Sequence, residues 1–204
     1  MDKAYRQTLN YYENFSNDYA ARAASREETQ SLYDTVLPLL KPGAKILDLG
    51  CGPGIDSLFF LDQGFDVTSV DGSESMCDIA KQNGVKNIRK ESFLDLHDKE
   101  KFDLVWANKA MLHVKISDLP RMFTLVHNAL KSGGLFFLSF KYGNSEGLAN
   151  DGRWFSDFDE EKFHALLKIS GNFDIKKDVW VYDDIRKKQI KPKLMSAILV
   201  KKEK

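Results

Sequence analysis

Apolar residues recur at helical spacing through the first forty positions. Tyr5, Leu9, Tyr12 and Phe15 form one series, and Leu32, Val36, Leu37 and Leu40 a second, each set falling on one face of a 3.6-residue turn. Pro42-Gly43 ends that pattern. Beyond it, short apolar runs alternate with helical stretches. The runs at 46–49, 67–70, 87–91, 104–107 and 135–140 predict strands, the third being the weakest. Helices are predicted between them over 56–63, 74–82 and 119–130. The last of these carries Leu119, Met122, Phe123, Val126 and Leu130 on one face, with Ser117 as its N-cap.

Strands that alternate with helices of this length predict a parallel sheet built from right-handed crossovers, with helices on both faces. The end of the chain departs from that alternation. A helix from about Asp159, with Phe163, Leu166 and Leu167 inward, leads to a strand over 173–182 and another over 194–200. With only a charged turn between them, these two strands should be antiparallel. The expected α/β architecture is therefore a mostly parallel sheet ending in an antiparallel hairpin. It forms a single domain over 1–204, with 1–40 as a helical cap on a core of 41–204.

Composition narrows the field. Lys plus Arg and Asp plus Glu are both 30, so the formal net charge is zero. A chain that grips nucleic acid through phosphates usually carries a basic excess, which argues against that partner. The segment from Arg186 to Lys204 is basic, but it reads as a solvated turn and a frayed terminus. Two cysteines, Cys51 and Cys77, are too few for a disulfide framework or a cysteine zinc site, and no metal is expected. The polar start from Met1 to Arg6 lacks the apolar run of a signal peptide, and no stretch approaches the ~20 apolar residues of a membrane span. A cytoplasmic protein without membrane contact is expected, as a monomer or homodimer.

The most informative stretch is Ile46-Leu47-Asp48-Leu49-Gly50-Cys51-Gly52-Pro53-Gly54, which follows a strand and opens a helix. Glycines there allow a sharp turn and close approach of a ligand to the main chain, and the helix N-terminus favours an anionic group. The third glycine is one position early for the dinucleotide fingerprint, which wants it where Ile55 stands. Asp48 closes the strand, and Asp71 closes the next one, where a carboxylate can accept both hydroxyls of a ribose.

This segment resembles motif I of the class I S-adenosylmethionine-dependent methyltransferases. Val70-Asp71-Gly72-Ser73 resembles the acidic motif that follows, and Phe102-Asp103-Leu104-Val105-Trp106-Ala107-Asn108 and Leu130-Lys131-Ser132-Gly133-Gly134-Leu135 are similar to the later ones. The resemblance covers roughly residues 40 to 140. It implies a Rossmann-like seven-stranded sheet, with S-adenosylmethionine as cofactor and S-adenosylhomocysteine as product. It also implies positions. Gly50, Cys51 and Gly52 would lie against the methionine and ribose portion, Asp48 beside them, and Asp71 and Gly72 at the ribose. Ser73 and Met76 would cover the adenine, although Met76 equally suits a helix core position. Ser92 stands where the family commonly has an acidic residue, and Phe93 could offer its N–H to the same ring. Asn108 would approach the sulfonium end. Tyr12, Tyr19 and Arg22 belong to helices that in this family often close over the cofactor, with Arg22 either paired to its carboxylate or solvated.

Two clusters are candidates for the chemistry. Ala107-Asn108-Lys109-Ala110-Met111-Leu112-His113 resembles a segment of a bacterial subgroup likened to tellurite-resistance methyltransferases, and His113 is its candidate base. Ser139-Phe140-Lys141-Tyr142-Gly143, with Arg153-Trp154-Phe155, resembles the same subgroup. Lys141, Tyr142 and Arg153 could bind an anionic or aromatic acceptor, or could form an ordinary exposed connection. The expected function is methyl transfer to a small-molecule acceptor. The alternatives are transfer to tRNA or another macromolecule, a nucleotide-dependent oxidoreductase, and a non-catalytic protein that binds S-adenosylmethionine. Asn108-Lys109-Ala110-Met111 lacks the Asn/Asp-Pro-Pro-aromatic sequence of enzymes that methylate base amino groups.

Overall fold

The computed structural model describes residues 3–23, 25–184 and 192–202. Among these residues nine strands are defined: β1 (Lys45–Leu49), β2 (Asp66–Asp71), β3 (Ile88–Lys90), β4 (Phe102–Ala107), β5 (Leu130–Lys141), β6 (Glu146–Leu148), β7 (Trp154–Ser156), β8 (Phe173–Asp183) and β9 (Lys193–Lys201). The helices are α1 (Lys3–Asn14), α2 (Ser16–Ala20), α3 (Arg26–Val36), α4 (Ile55–Asp62), α5 (Glu74–Gln82), α6 (Leu119–Ala129) and α7 (Glu160–Ser170).

Seven strands form one sheet in the order β3-β2-β1-β4-β5-β9-β8. The first five run parallel. β9 returns antiparallel between β5 and β8, as the missing helix at the end of the chain predicts. Successive strand residues point to opposite faces, and both faces are covered. Leu47, Val105, Phe136 and Leu138 pack with Met122, Phe123 and Val126 of α6 and Phe163 of α7. Ile46, Leu104, Trp106 and Phe137 pack with Leu32, Tyr33 and Val36 of α3 and Phe59 and Phe60 of α4. On that second face Tyr33 stacks on Phe59 at 3.6 Å and Trp106 on Phe137 at 3.9 Å between ring centroids. Because both faces are buried, the central strands read as continuous apolar runs.

The N-terminal helices divide in their placement. α3 belongs to the sheet core, held at its start by a capping box between Ser25 and Glu28. α1 and α2 lie over the ends of the strands. Glu13 fastens α1 there: its carboxylate accepts the Glu74 N–H at 2.7 Å, the Ser75 N–H at 3.1 Å and the Ser75 hydroxyl at 2.7 Å. That places a negative charge on the N-terminus of α5. Burial works against ionisation of Glu13, but the bonds from Ser75 and Glu74 outweigh it and hold the group below its usual range.

Three local expectations change. Ser117 does not cap α6; a 3-10 turn over Ile116–Asp118 leads in, and Asp118 occupies the cap position without a side-chain bond. Pro120 near the helix start offers no N–H, so one capping donor is already removed. β5 begins at Leu130, which pairs with Phe102 before the register shifts. The connection after β5 contains the β6–β7 ribbon, pairing Glu146–Leu148 with Trp154–Ser156; three-residue strands are too short to show a period. The charged turn at 185–191, and residues 203 and 204 of the basic segment, lie outside the described residues. No helix among the described residues is long and apolar enough to cross a membrane.

Candidate active site

The glycine loop leaves β1 where its strand-end N–H groups turn back to the sheet. Gly50 takes φ +80°, and its N–H donates to Val70 O at 2.8 Å. A Cβ at this position would meet Ala110 Cβ at 2.6 Å and the Phe93 ring at 3.1 Å. Gly50 and Ala110 are therefore small for the same reason, since each leaves room for the other. Gly50→Ala should cost about 1–3 kcal/mol, the usual penalty of an overpacked site, with left-handed strain in addition; thermal unfolding measures it. An unchanged midpoint would mean that the loop is less tightly seated.

Asp71, at the end of β2, ties this loop to the start of α5. One carboxylate oxygen accepts the Gly52 N–H at 2.9 Å and the other the Ser73 N–H at 2.9 Å. Burial raises its pKa, against the lowering by these main-chain donors. A carboxylate accepts about four hydrogen bonds, so with Gly52, Ser73 and Gly72 as main-chain donors the group keeps some acceptor capacity for a ligand. Asp71 lines a slot of about 60 Å³ with Gly50, Gly52, Gly72, Met76, Phe93 and Asn108. Tyr5, Thr8, Leu9 and Tyr12 of α1 and Tyr19 of α2 form its outer wall. Two further cavities share walls with it. One of about 200 Å³ is lined by Ser92, Phe93, Tyr5, His113 and Trp154. The other, of about 460 Å³, is lined by Tyr12, Tyr19, Arg22, Lys109, His113, Lys141, Arg153 and Phe155.

Several expected residues stand elsewhere. Asp48 does not reach the slot: as a strand residue in phase with Ile46 it faces α4, where Ser57 Oγ donates to it at 2.5 Å. Burial, and then the neighbouring charge of Asp56, push its pKa well up. Ser73 is fully buried and caps α5, its Oγ accepting the Met76 N–H at 3.2 Å, while Met76 itself lines the slot. Cys51 lies against a small recess of the glycine loop, and burial raises its thiol pKa well above the ordinary value. Ser92 accepts the Leu94 N–H at 3.3 Å and starts a 3-10 turn. Arg22 stands on the wall of the cavity of about 460 Å³, its Nε donating to Asp18 O at 2.8 Å. Tyr142 leaves the site altogether. It follows Lys141 on an extended strand, so the two side chains diverge, and its hydroxyl donates to Glu160 at 3.0 Å near α7.

His113 is brought to the centre. It is 7% exposed and lines the slot and both cavities that share walls with it. Its Nδ1 lies 2.7 Å from the Trp154 carbonyl oxygen. A carbonyl only accepts, so Nδ1 carries the proton and Nε2 is left as an acceptor. Nε2 lies 2.8 Å from the Tyr12 hydroxyl, which donates to it. Burial first, then the charges of Arg153 and Lys141, depress the His113 pKa to about 3 despite the Trp154 bond. Burial pushes the Tyr12 pKa up. Both groups are thus neutral and paired.

Two contributions had no clear sequence signal. The Tyr12 bond to His113 joins residues 101 apart, with β1 to β4 between them, and no periodicity reports such a contact. Asp56, in the first turn of α4, accepts from Tyr33 Oη, from Trp106 Nε1 at 2.7 Å and from Asn108 Nδ2 at 3.1 Å. It fixes Asn108 at the slot from behind. Lys109 follows with φ +57°, its N–H donating to Ser139 Oγ at 2.6 Å. Among the described residues, no group of three or more His, Cys, Asp or Glu could hold a metal ion.

The sheet order with its antiparallel end is a fold shared with solved S-adenosylmethionine-dependent methyltransferases. Residues 46–134 match the family model described as a methyltransferase domain. The chain is 33% identical over 111 residues to a ubiquinone biosynthesis O-methyltransferase of Glaesserella parasuis, covering 48% of this chain and 45% of that one. It is 32% identical over 123 residues to a malonyl-[acyl-carrier protein] O-methyltransferase of Salmonella typhimurium, covering 56% and 48%. The chain thus spans about half the length of these curated relatives. In fold it is similar to Burkholderia thailandensis 1,6-didemethyltoxoflavin-N1-methyltransferase, solved with bound 1,6-didemethyltoxoflavin and S-adenosylhomocysteine. The TM-score is 0.74 at 20% identity, covering 98% of this chain and 87% of that one.

Proposed function

We propose that the protein transfers a methyl group from S-adenosylmethionine to a small-molecule acceptor. The observation that carries this reading is the position of His113 and Tyr12 on the wall shared by the Asp71 slot and the cavity of about 460 Å³. That volume lies in the range of small-ligand pockets. The residues present fit the cofactor: the backbone at Gly52 is open, with a Cβ there meeting only Tyr19 at 3.9 Å, and the Asp71 carboxylate keeps acceptor capacity for a ribose diol. Gly50 and Gly52 would hold the amino-acid and ribose portion, and Met76 and Phe93 would offer apolar surface to the adenine. When bound, the cofactor supplies a methyl group activated on a sulfonium.

The protein's own task is alignment, exclusion of water and proton handling. Asp56 holds Asn108 in place, and α1, fastened by Glu13, covers the slot. If the acceptor must lose a proton, Tyr12 Oη takes it while the Tyr12 proton passes to Nε2 of His113. The Trp154 carbonyl keeps Nδ1–H in place throughout. Lys141 stands beside this pair on the acceptor wall. The likeness of the His113 segment to the subgroup likened to tellurite-resistance methyltransferases belongs with this reading.

Calorimetric titration with S-adenosylhomocysteine, with NADH as control, tests it. Micromolar binding of the first and none of the second is expected, followed by transfer of radiolabelled methyl from S-adenosylmethionine in an acceptor screen. A folded protein that ignores S-adenosylhomocysteine, or prefers NADH, would remove the reading.

A further inference from the structure

The acceptor cavity is not neutral. Among the described residues, four cationic side chains line it, Arg22, Lys109, Lys141 and Arg153, against the carboxylates Glu28 and Asp184. Glu28 is already engaged, accepting the Ser25 N–H at 2.8 Å. Two of the cations converge on one ring: Lys141 Nζ lies 3.0 Å and Arg153 Cζ 5.0 Å from the Phe155 centroid. Arg153 is held rigidly by Asp151, its Nε and Nη2 donating at 3.1 and 2.6 Å. The guanidinium also lies over the Tyr11 ring at 4.3 Å. Its remaining nitrogen, Nη1, is directed toward Tyr12 Oη at 3.5 Å. Asp151 therefore fixes the fork while Nη1 stays at the cavity beside the proton-handling pair. An arginine pre-oriented by a carboxylate and stacked on aromatic rings loses little entropy when it binds an anion.

Resting on the methyltransferase reading of this site, we propose that the acceptor carries an anionic group, a carboxylate or a phosphate. Lys141 and Arg153 grip that group while the methyl-accepting atom reaches Tyr12. The arrangement explains why two cations stand beside a histidine expected to take a proton. Unliganded, Arg153 and Lys141 disfavour a charged His113, in the same direction as burial. An anion seated on them cancels that repulsion, so the Tyr12–His113 pair accepts a proton more readily when an acceptor is in place. The positive wall also separates acceptors by charge, because a neutral analogue gains no charge-assisted contact from Lys141 and Arg153.

The test uses the S-adenosylhomocysteine-saturated protein and ligand-observed NMR with three probes: benzoate, inorganic phosphate and the neutral benzamide. Saturable binding of benzoate or phosphate is expected, at least about tenfold tighter than benzamide, a difference of ~1.4 kcal/mol. Preference between the two anions identifies the group. Lys141→Met keeps an apolar stem over Phe155 and removes the charge. It should weaken anion binding about fivefold or more, in the range of a charge-assisted contact, without altering S-adenosylhomocysteine affinity. Arg153→Gln should do the same, and Lys141→Met carries the test if Arg153→Gln fails to fold. Binding of neither anion, equal binding of benzamide, or indifference to Lys141→Met overturns the proposal. Loss of S-adenosylhomocysteine binding by the wild-type protein would instead overturn the reading beneath it.

Discussion

Replacing Asp71 with alanine should weaken S-adenosylhomocysteine binding by tenfold or more, equivalent to ~1.4 kcal/mol or more. The carboxylate accepts from Gly52 and Ser73 and lines the slot with acceptor capacity left over. Alanine removes both uses together, so the loop loses its tie to α5 as the ribose loses its acceptors. Asp71→Asn separates them. An amide keeps one acceptor oxygen and turns the other position into a donor, which opposes one of the two N–H groups, whereas a ribose hydroxyl can still accept from it. Calorimetry with thermal unfolding distinguishes the outcomes. A lower unfolding midpoint with unchanged affinity would make Asp71 a loop tie alone.

The second large effect is expected at the Tyr12–His113 pair. Tyr12→Phe and His113→Asn should each lower kcat by about 10²- to 10⁴-fold for an acceptor that must lose a proton, the range of general base catalysis. Their effects should be far from additive, since each removes the same relay. Binding of S-adenosylhomocysteine should change little in Tyr12→Phe. A rate within about threefold of wild type in both variants would leave the pair a packing contact.

Acid stability gives an independent readout of His113. The groups around it are Arg153 and Lys141, which disfavour its charge, Asp151, which favours it, and the Tyr12 hydroxyl. Its folded pKa, depressed to about 3, lies below the ordinary 6.5. Between these values the unfolded chain binds the proton and the folded one does not, so stability rises with pH across that window. The contribution is complete above pH 6.5 and is lost as pH falls toward 3, by at most about 1.4 kcal/mol per unit. His113→Asn should flatten that slope in denaturant titrations between pH 4 and 7, chosen as a span of roughly this window. A slope equal to wild type would mean that other groups govern it.

Much of the fold is legible without coordinates. The apolar runs at 46–49, 67–70 and 104–107 became β1, β2 and β4 with ends moved by one or two residues, because a buried parallel strand needs side chains that tolerate both faces. The missing helix before the last strand is enough to set β9 antiparallel. The glycine loop and Asp71 are equally local: a strand, a sharp turn and a helix start within a few residues, and each element constrains the next. The β6–β7 ribbon escaped because three residues carry no period.

What a side chain faces is a different matter. Asp48 and Asp71 both close strands beside the same loop, yet Asp48 is buried against Ser57 while Asp71 lines the slot. Lys141 and Tyr142 are neighbours in sequence and part company because a strand alternates its faces. The Tyr12–His113 bond joins residues 101 apart, and Arg153 meets Tyr12 across 141. The sequence by itself determined the sheet, its hairpin end and the loop with its carboxylate, since those follow from periodicity and backbone sterics acting over a few residues. Only the tertiary structure decided which polar groups meet at the acceptor wall, because those contacts form between segments that only packing of the whole chain brings together.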